Sequence, residues 1–354
     1  VTRTINLLGG WDGSPSGDVV RDPEAFPSIL DGEGQRRVVY IEGASIPTLD
    51  GLTIARGYAN DASLGTGCGG GIYSDGAKPK ITNNVITANV AFSGTVAFGL
   101  GGGICVLNAA SSTISGNRIS DNMANTGGPG RGGGIALVDS AVLIEGNLFE
   151  HNTAGMTRNS QGGGIYAYSS PATVRGNLLR DNRAAVDGWG SGGGLFTQFG
   201  EPTIEANTIV GNAAARAAVY CLQNAHITLI NNVITDNTGG GVVTRGNTVA
   251  PLSGTLANNT IAHNGDLEVG LGPSGPFGYA TLVLTNNLIV SHTTGLYANP
   301  GYTNTAVADH TLFCGNDTDP GGSVITRTNE STGVDPLFVD AAGGTDHLLL
   351  QSPA

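Results

Sequence analysis

The 354-residue sequence predicts an all-β, single-domain solenoid in which short parallel strands stack into three-sided coils. Three observations predict it: a recurring glycine triplet, an asparagine motif that recurs in step with the triplet, and a composition unsuited to helices. Glycine contributes 58 residues, whereas charged residues make up only 12% of the chain. Exposed helix positions normally use charged residues and avoid glycine, so a mainly helical fold is excluded.

The first repeat is Gly-Gly-Gly followed by an aliphatic residue. Its five regular copies are 32, 31, 30 and 30 residues apart, another copy stands at 239–242, and residues 216–219 are a degenerate copy. Glycine reaches the positive-φ conformation that a sharp corner requires. Each cycle holds three short aliphatic runs and no helical segment, which indicates coils of three strands stacked about 4.8 Å apart. The regular copies are 69–72, 101–104, 132–135, 162–165 and 192–195.

The second repeat places two asparagines five residues apart around an aliphatic residue. In-phase residues of stacked coils lie above one another, so the first asparagine of each cycle is predicted to join an amide ladder along one corner. Aliphatic residues three positions earlier, such as Ile114, Ile144 and Val174, are predicted to stack as an internal column. The predicted ladder residues are Asn84, Asn117, Asn147, Asn177, Asn207, Asn232, Asn259 and Asn287.

The chain is predicted to form about twelve coils. Residues 1–48 are interpreted as entry coils and any cap, residues 49–292 as regular coils, and residues 293–354 as irregular C-terminal coils. The segment between the second asparagine and the next triplet is long in the first half and nearly vanishes later. This change predicts stacked loops on the first half and a slimmer second half. The predicted loops are 57–68, 90–100, 123–131, 153–161 and 183–191.

Charge and hydropathy exclude several classes of partner. The net charge of −12 and the pI of 4.7 argue against nucleic-acid or anionic-membrane binding, because both need basic patches. No apolar run is long enough for a transmembrane helix. No Cys/His spacing resembles a zinc site, so neither a metal nor a cofactor is expected.

The triplet copies, together with the Phe149-Glu150-His151-Asn152 form of the second motif, resemble a known family. This family is the bacterial right-handed parallel β-helix surface proteins with polymorphic-outer-membrane-protein-type repeats. Residues 9–13 and 335–338 resemble the first and last coils of such proteins, so the resemblance covers nearly the whole chain. It implies a right-handed parallel β-helix in a secreted, extracellular or cell-surface setting, and it implies little about activity.

The four cysteines are predicted to be unpaired thiols that act as small apolar fillers. Cys68 precedes its triplet by one residue, whereas Cys105 follows the start of the next triplet by four. Five positions along a strand span roughly 16 Å, more than bonded cysteines allow. Cys221 and Cys314 lie several coils away from them and from each other.

Asp121, His151 and Asp181 each directly precede the second asparagine of three successive cycles. They are predicted to stand in one column, with the histidine between two carboxylates. Such a trio can act as an acid/base pair or bind a cation. The alternative, a solvated corner column with a weak ion pair, is favoured, because Glu150 and Arg180 repeat the same arrangement one position away.

Aromatic residues form a second candidate site. Strand alternation turns Tyr166, Phe196 and Tyr220 away from the internal column, so a line of exposed rings is expected on adjacent coils. Exposed rings can stack on sugars or form a protein interface, whereas stacked rings also stabilise a sheet without any ligand. The plain stabilising role is weighed slightly above binding. Nearby aromatic candidates are Tyr168, Trp189 and Phe199.

The favoured function is a structural or adhesive surface protein that binds a glycan or a protein surface, or associates with itself. The alternative is a polysaccharide lyase or hydrolase of the pectin-lyase-like β-helix class. That class places carboxylates holding Ca²⁺ and a basic residue on one outward sheet, so Ca²⁺ is expected only under the lyase interpretation. The loop arginines Arg131, Arg158 and Arg183 are the residues that would form a basic cleft in this acidic chain.

Overall fold

The computed structural model contains short strands and no helix among the residues it describes. Most of the predicted loop 57–68 and part of the predicted closing coil lie outside those residues. The described residues are 2–16, 20–59, 67–95, 97–224, 226–265, 271–273, 279–298, 304–322, 325–332, 334–336, 338–340 and 345–348.

Each coil passes through three sheets in turn, and each strand pairs in parallel with the coils before and after it. Sheet 1 follows the glycine triplets and has nine strands in the part of the chain that the structure describes. These are Val39–Glu42, Ile72–Asp75, Ile104–Leu107, Ile135–Val138, Ile165–Tyr168, Leu195–Gln198, Ala217–Leu222, Gly240–Arg245 and Leu271–Pro273.

Among the described residues, sheets 2 and 3 each have twelve strands, which confirms the prediction of about twelve coils. Sheet 2 comprises Asn6–Leu8, Thr48–Asp50, Lys80–Thr82, Ser112–Ser115, Val142–Glu145, Thr173–Arg175, Thr203–Glu205, His226–Ile230, Leu252–Ala257, Ala280–Thr285, Thr305–Asp309 and Ile325–Thr328. Sheet 3 comprises Ser28–Asp31, Leu52–Ala55, Val85–Thr87, Arg118–Ser120, Leu148–Glu150, Leu178–Arg180, Thr208–Val210, Val233–Thr235, Thr260–Ala262, Leu288–Val290, Leu312–Cys314 and Ser331–Thr332.

The predicted loops stack on one another as short parallel strands of their own. We call residues 90–100, 123–131, 153–161 and 183–191 the loop stack. Its strands are Val90–Phe92, Met123–Asn125, Thr153–Gly155 and Arg183–Ala185, with Gly99–Leu100 paired to Gly130–Arg131. Near the C-terminus, Thr294–Ala298 pairs with Thr318–Gly322, and Phe338–Asp340 pairs antiparallel with Thr345–Leu348.

In-phase aliphatic residues fill the interior as predicted. Ile114, Ile144 and Val174 pair in register on adjacent strands and are buried. Ile119 and Phe149 do the same on sheet 3. One continuous cluster of such side chains extends along the solenoid, so the main core is a column rather than a globule.

The predicted asparagine ladder is present at the corner between sheets 2 and 3. Each Nδ2 donates to Oδ1 of the next asparagine at 2.9–3.0 Å, from Asn84 to Asn287. The same amide also donates to a backbone carbonyl of the coil before it, as Asn177 does to Ile144. A second ladder runs from Asn89 to Asn264 at the next corner. Buried amides are therefore satisfied between coils, as burial requires.

The loop stack folds back over part of the outer face of sheet 1 and covers it. The expectation of exposed rings is wrong for three residues, because Tyr166, Phe196 and Tyr220 are only 1%, 0% and 3% exposed. These rings do point away from the main core, but with Cys68, Cys105 and other residues they form a second apolar layer beneath the loops. Strand alternation correctly predicted that these side chains point away from the main core, but it did not predict that they are buried.

The expectation of four unpaired thiols is also wrong in part. Cys68 and Cys105 form a disulfide with a Cα–Cα distance of 5.7 Å. The chain turns back sharply at Gly69, whose φ is +63°, so positions before and after the triplet do not lie along one extended strand. Cys221 and Cys314 are free thiols, as predicted. Burial raises the pKa of Cys221 to about 12, which suits an inert filler.

Candidate functional site

A groove of about 840 Å³ opens on the outer face of sheet 1 where the loop stack ends. The last long loop joins Asn182 to Gly192, whereas only residues 213–216 join Asn212 to Ala217 in the next coil. The last loop therefore forms a wall, and the open face of the next coils forms the floor. The lining residues are Arg158, Asn159, Gln161, Asp187, Gly188, Trp189, Ser191, Phe196, Ala215, Arg216, Tyr220, Leu222 and Arg245.

The floor of the groove is aromatic. Phe196 and Tyr220 stack with their ring centroids 5.4 Å apart and their planes within 4°. Arg216 lies over the Tyr220 ring, with its guanidinium carbon 5.9 Å from the ring centroid. Its Nη1 donates a hydrogen bond to the Tyr220 hydroxyl at 3.2 Å. The two rings are themselves buried, so they form a rigid base under the groove, and Arg216 is the exposed cation above them.

The wall carries the most exposed aromatic ring of the site. Trp189 is 70% exposed, and Gly188 before it has a φ of +86°, a conformation that suits glycine at a tight turn. The Asp187 carboxylate fixes this turn, because its Oδ1 accepts a hydrogen bond from the Trp189 backbone N–H at 3.0 Å. Its Oδ2 accepts another from the backbone N–H of Arg158 at 2.9 Å. Asp187 therefore ties two successive loops together.

Three arginines line the groove: Arg158, Arg216 and Arg245. Within the described part of the chain, none of them forms an ion pair with a carboxylate. Asp187 is the one acidic residue among the described residues that line the groove. The groove is therefore locally cationic on a chain whose net charge is −12.

The predicted column of Asp121, His151 and Asp181 exists but does not line the groove. His151 Nδ1 lies 4.0 Å from Asp121 Oδ1, and its Nε2 lies 4.0 Å from Asp181 Oδ2. All three residues adopt left-handed corner conformations, with φ between 54° and 57°. Each side chain is more than half exposed, so water screens these contacts. The acid/base and cation-binding roles stay untested predictions.

Of the three predicted cleft arginines, the groove contains Arg158 alone. The Arg131 guanidinium packs between Phe98 and Tyr166, with its central carbon 4.0 Å and 5.4 Å from the two ring centroids. Burial raises the pKa of Tyr166 to about 12, although the charge of Arg131 acts in the opposite direction. Arg183 is exposed on the loop stack, outside the groove.

The six predicted aromatic residues divide into three groups, one of which is Tyr166 alone, beneath Arg131. Trp189, Phe196 and Tyr220 line the groove. Tyr168 and Phe199 pair edge to face with their centroids 5.5 Å apart, and neither lines the groove. An exposed aromatic residue outside the site therefore exists for comparison with Trp189.

Sequence reasoning missed Arg216 and Arg245. Arg216 occupies the first position of the degenerate triplet, where the regular copies have a glycine without a side chain. That substitution was the available signal, because an arginine at a glycine position puts a long side chain on the outer face. Arg245 pairs with Leu222 at the end of a sheet 1 strand, and only the coil register reveals that position.

The described residues contain no group of three or more histidine, cysteine or acidic side chains arranged to hold a metal ion. A search of those residues for a helix long and apolar enough to cross a membrane finds none.

A family model described as "Right handed beta helix region" matches residues 33–196 and 158–312. The chain belongs to the right-handed β-helix family. The match confirms the predicted fold class and handedness, whereas the repeat type stays a prediction. A sequence search among curated proteins finds no significant match.

Two solved structures are similar to this β-helix. A mutant of the periplasmic alginate epimerase AlgG matches with a TM-score of 0.51 and 11% identity, over 87% of this chain and 77% of that chain. Identity this low shows a shared fold alone. The surface protein and adhesin PfbA of Streptococcus pneumoniae matches over 74% of this chain and 90% of that chain, at 9% identity. Its TM-score of 0.27 is too low to carry an argument.

Proposed function

We propose that this β-helix protein is an extracellular or surface-displayed adhesive protein that binds a polysaccharide in the groove beside Trp189. The observation that carries the proposal is an indole that is 70% exposed above a groove of about 840 Å³ with polar and cationic walls. A flat ring offers a large apolar face to a sugar ring, and neighbouring polar groups meet its hydroxyls.

The rigidity of the site supports the proposal. The floor rings belong to strands of sheet 1, and Asp187 fixes the wall through two backbone hydrogen bonds. A site that is already ordered loses little conformational entropy when a flexible glycan binds. The protein is therefore suited to hold a chain in place.

The extracellular setting rests on two observations. Cys68 and Cys105 form a disulfide, and such bonds persist mainly in oxidising compartments. The repeats also resemble those of polymorphic outer-membrane proteins, which are displayed on bacterial surfaces. The bond survives isolation under non-reducing conditions if this setting is correct.

Replacing Trp189 with alanine is expected to weaken polysaccharide binding about tenfold, because the stacking surface is lost. Binding is measured by titration calorimetry against dextran, mannan, hyaluronan and polygalacturonate. Phe199→Ala is the matched control, because Phe199 is an exposed aromatic residue outside the groove. Equal affinity of the two variants, or no binding by the unaltered protein to any of the four polymers, would contradict the proposal.

A polysaccharide lyase or hydrolase is the second candidate, favoured by the arginines of the groove. Such chemistry needs an acid/base pair next to the bound sugar. Asp187 is the one carboxylate of the described lining, and its two oxygens already accept backbone N–H groups. Incubation with polygalacturonate and alginate tests this candidate through the ultraviolet absorbance of unsaturated products and through reducing ends.

A further inference from the structure

The groove arginines differ from most other arginines of the described chain in their partners. Arg21 pairs with Asp50, Arg56 with Asp31, and Arg175 with Glu145. Arg118 and Arg180 share Glu150. By contrast, no carboxylate among the described residues pairs with Arg158, Arg216 or Arg245, although the sequence has 28 acidic residues against 16 basic ones. Guanidinium groups left unpaired in one groove are available to an external anion.

The charged and aromatic groups come from four successive coils. Arg158 and Trp189 lie on the two loops that precede the strands Ile165–Tyr168 and Leu195–Gln198. Arg216 directly precedes the next strand, Ala217–Leu222, and Arg245 ends the strand after that. Three steps of about 4.8 Å span roughly 14 Å along the solenoid axis. This length suits several linked sugars rather than one.

Asp187 does not neutralise the groove arginines through ion pairs. Its oxygens accept the backbone N–H groups of Arg158 and Trp189, so the carboxylate holds the two loops and forms no ion pair with a guanidinium. Three guanidinium groups therefore face the groove against one committed carboxylate.

We infer that the groove selects an acidic polysaccharide, which lies along the solenoid axis with carboxylate or sulfate groups on Arg216, Arg245 and Arg158 and one sugar ring on Trp189. This inference rests on the proposed function and specifies its ligand class. Guanidinium groups bind planar carboxylates and sulfate oxygens through paired, charge-assisted hydrogen bonds. Nucleic acid is the less favoured polyanion, because the remaining surface of a chain with net charge −12 repels a long phosphate backbone.

The test uses two matched pairs of polymers and one nucleic acid. Dextran sulfate is compared with dextran, and polygalacturonate with its methyl ester, so that each pair differs mainly in charge. A single-stranded DNA oligomer is the fifth probe. We expect the charged member of at least one pair to bind at least tenfold more tightly, and the affected pair distinguishes sulfate from carboxylate recognition. Raising the salt concentration from about 0.05 to about 0.5 M should weaken that binding.

The arginines are tested with Arg216→Gln, Arg245→Gln and the double variant. Each substitution is expected to weaken binding of the charged polymer about tenfold, with no effect on any binding of the neutral member. Arg216→Lys keeps the charge and loses the paired geometry, so it should fall between Gln and the unaltered protein. Arg183→Gln is the control, because Arg183 is exposed on the loop stack outside the groove.

The outcomes separate the inference from the proposed function. If neutral and charged polymers bind equally and Trp189→Ala still removes that binding, the adhesive function stands and the inference is wrong. If DNA binds more tightly than every glycan, or if the glutamine variants bind like the Arg183→Gln control, the inference is also wrong. Absence of binding to every polymer overturns both.

Discussion

Glu150 shows how one residue is held on the outer face of sheet 3. The side chain is 2% exposed, and its two oxygens accept hydrogen bonds from Arg118 on one neighbouring coil and Arg180 on the other, at 2.7 Å and 2.5 Å. Burial acts to raise the pKa of Glu150, but these hydrogen bonds outweigh it and hold the pKa below the ordinary value of 4.5. The carboxylate therefore links three successive coils.

Replacing Glu150 with glutamine is expected to reduce the free energy of unfolding by about 1–3 kcal/mol, because two charge-assisted hydrogen bonds are weakened and two arginines lose their counter-charge. Urea unfolding at neutral pH measures the loss. The control is Glu145→Gln, which breaks the half-exposed pair with Arg175 and should cost at most about 1 kcal/mol. Equal effects of the two substitutions would show that burial does not strengthen the Glu150 interaction.

The same residue gives a pH dependence of stability. Because the folded pKa of Glu150 lies below its unfolded value, its contribution is fully present above the ordinary glutamate range. The contribution is lost as the pH falls through the folded pKa. The difference in unfolding free energy between the unaltered protein and Glu150→Gln should therefore shrink from pH 7 to the acid side of 4.5.

At the scale of the structural element, the asparagine corner carries buried polar bonds from coil to coil. Asn177 Oδ1 accepts from the backbone and side-chain amides of Asn147, at 2.9 Å and 3.0 Å. Its Nδ2 donates to Ile144 and to Asn207, at 2.9 Å and 3.0 Å. Removal of this side chain takes these bonds from the Asn147 backbone N–H and the Ile144 carbonyl, both on the preceding coil. It also takes one of two bonds from Asn207 Oδ1 on the next coil.

Replacing Asn177 with alanine is expected to reduce the free energy of unfolding by about 2–4 kcal/mol, because several buried polar groups lose their partners at once. Chemical unfolding followed by circular dichroism measures the change. Asn6→Ala, at an exposed strand position, serves as the control and should change stability by less than about 0.5 kcal/mol. A similar small effect at Asn177 would show that the ladder adds little stability.

The loop stack depends on a second element, the Cys68–Cys105 disulfide. It joins residues 37 apart in sequence and lies in the apolar layer beneath the loops. A cross-link over a loop of this length contributes about 3–4 kcal/mol in the chain-entropy model. The double variant Cys68→Ala/Cys105→Ala should therefore unfold at a clearly lower temperature in a calorimeter. Cys221→Ala is the control, because that thiol is free, and it should lower the melting temperature less.

The sequence predicted the ladders and interior columns better than it predicted which residues the loops bury. Ladder positions and interior columns follow directly from phase, because coils of nearly equal length place in-phase residues above one another. The Cys68–Cys105 pair was missed because counting residues assumes an extended chain, and the left-handed turn at Gly69 reverses it. The burial of Tyr166 was missed for a related reason: phase gives the direction of a side chain, whereas the path of the loops decides what covers it.

At the scale of the whole molecule, the candidate site lies at the boundary between two halves. The change in loop length was readable from the sequence. The position of the groove was not, because it depends on which side chains the last long loop places above the next coils. Arg216 lines the groove because the connection that contains it, residues 213–216, is only four residues long.

The local positive charge of the groove also depends on which side chains the last long loop and the next coils bring together. The chain has a net charge of −12, and carboxylates neutralise several arginines on its sheets. The groove gathers three arginines within four coils, so it forms a local positive region on an acidic surface. A region of this kind attracts anionic ligands at short range, and salt weakens the attraction.

The change from long loops to short connections between coils, which positions the groove, has a consequence for evolution. The coils repeat the same three strands, so insertion or loss of one complete cycle upstream of residue 153 would leave the end of the loop stack intact. Such an event would slide the groove along the rod by one coil, about 4.8 Å, without changing the groups that line it. Variation in the number of these upstream cycles would then set how far the site stands from the N-terminal end of the solenoid, independently of what it recognises.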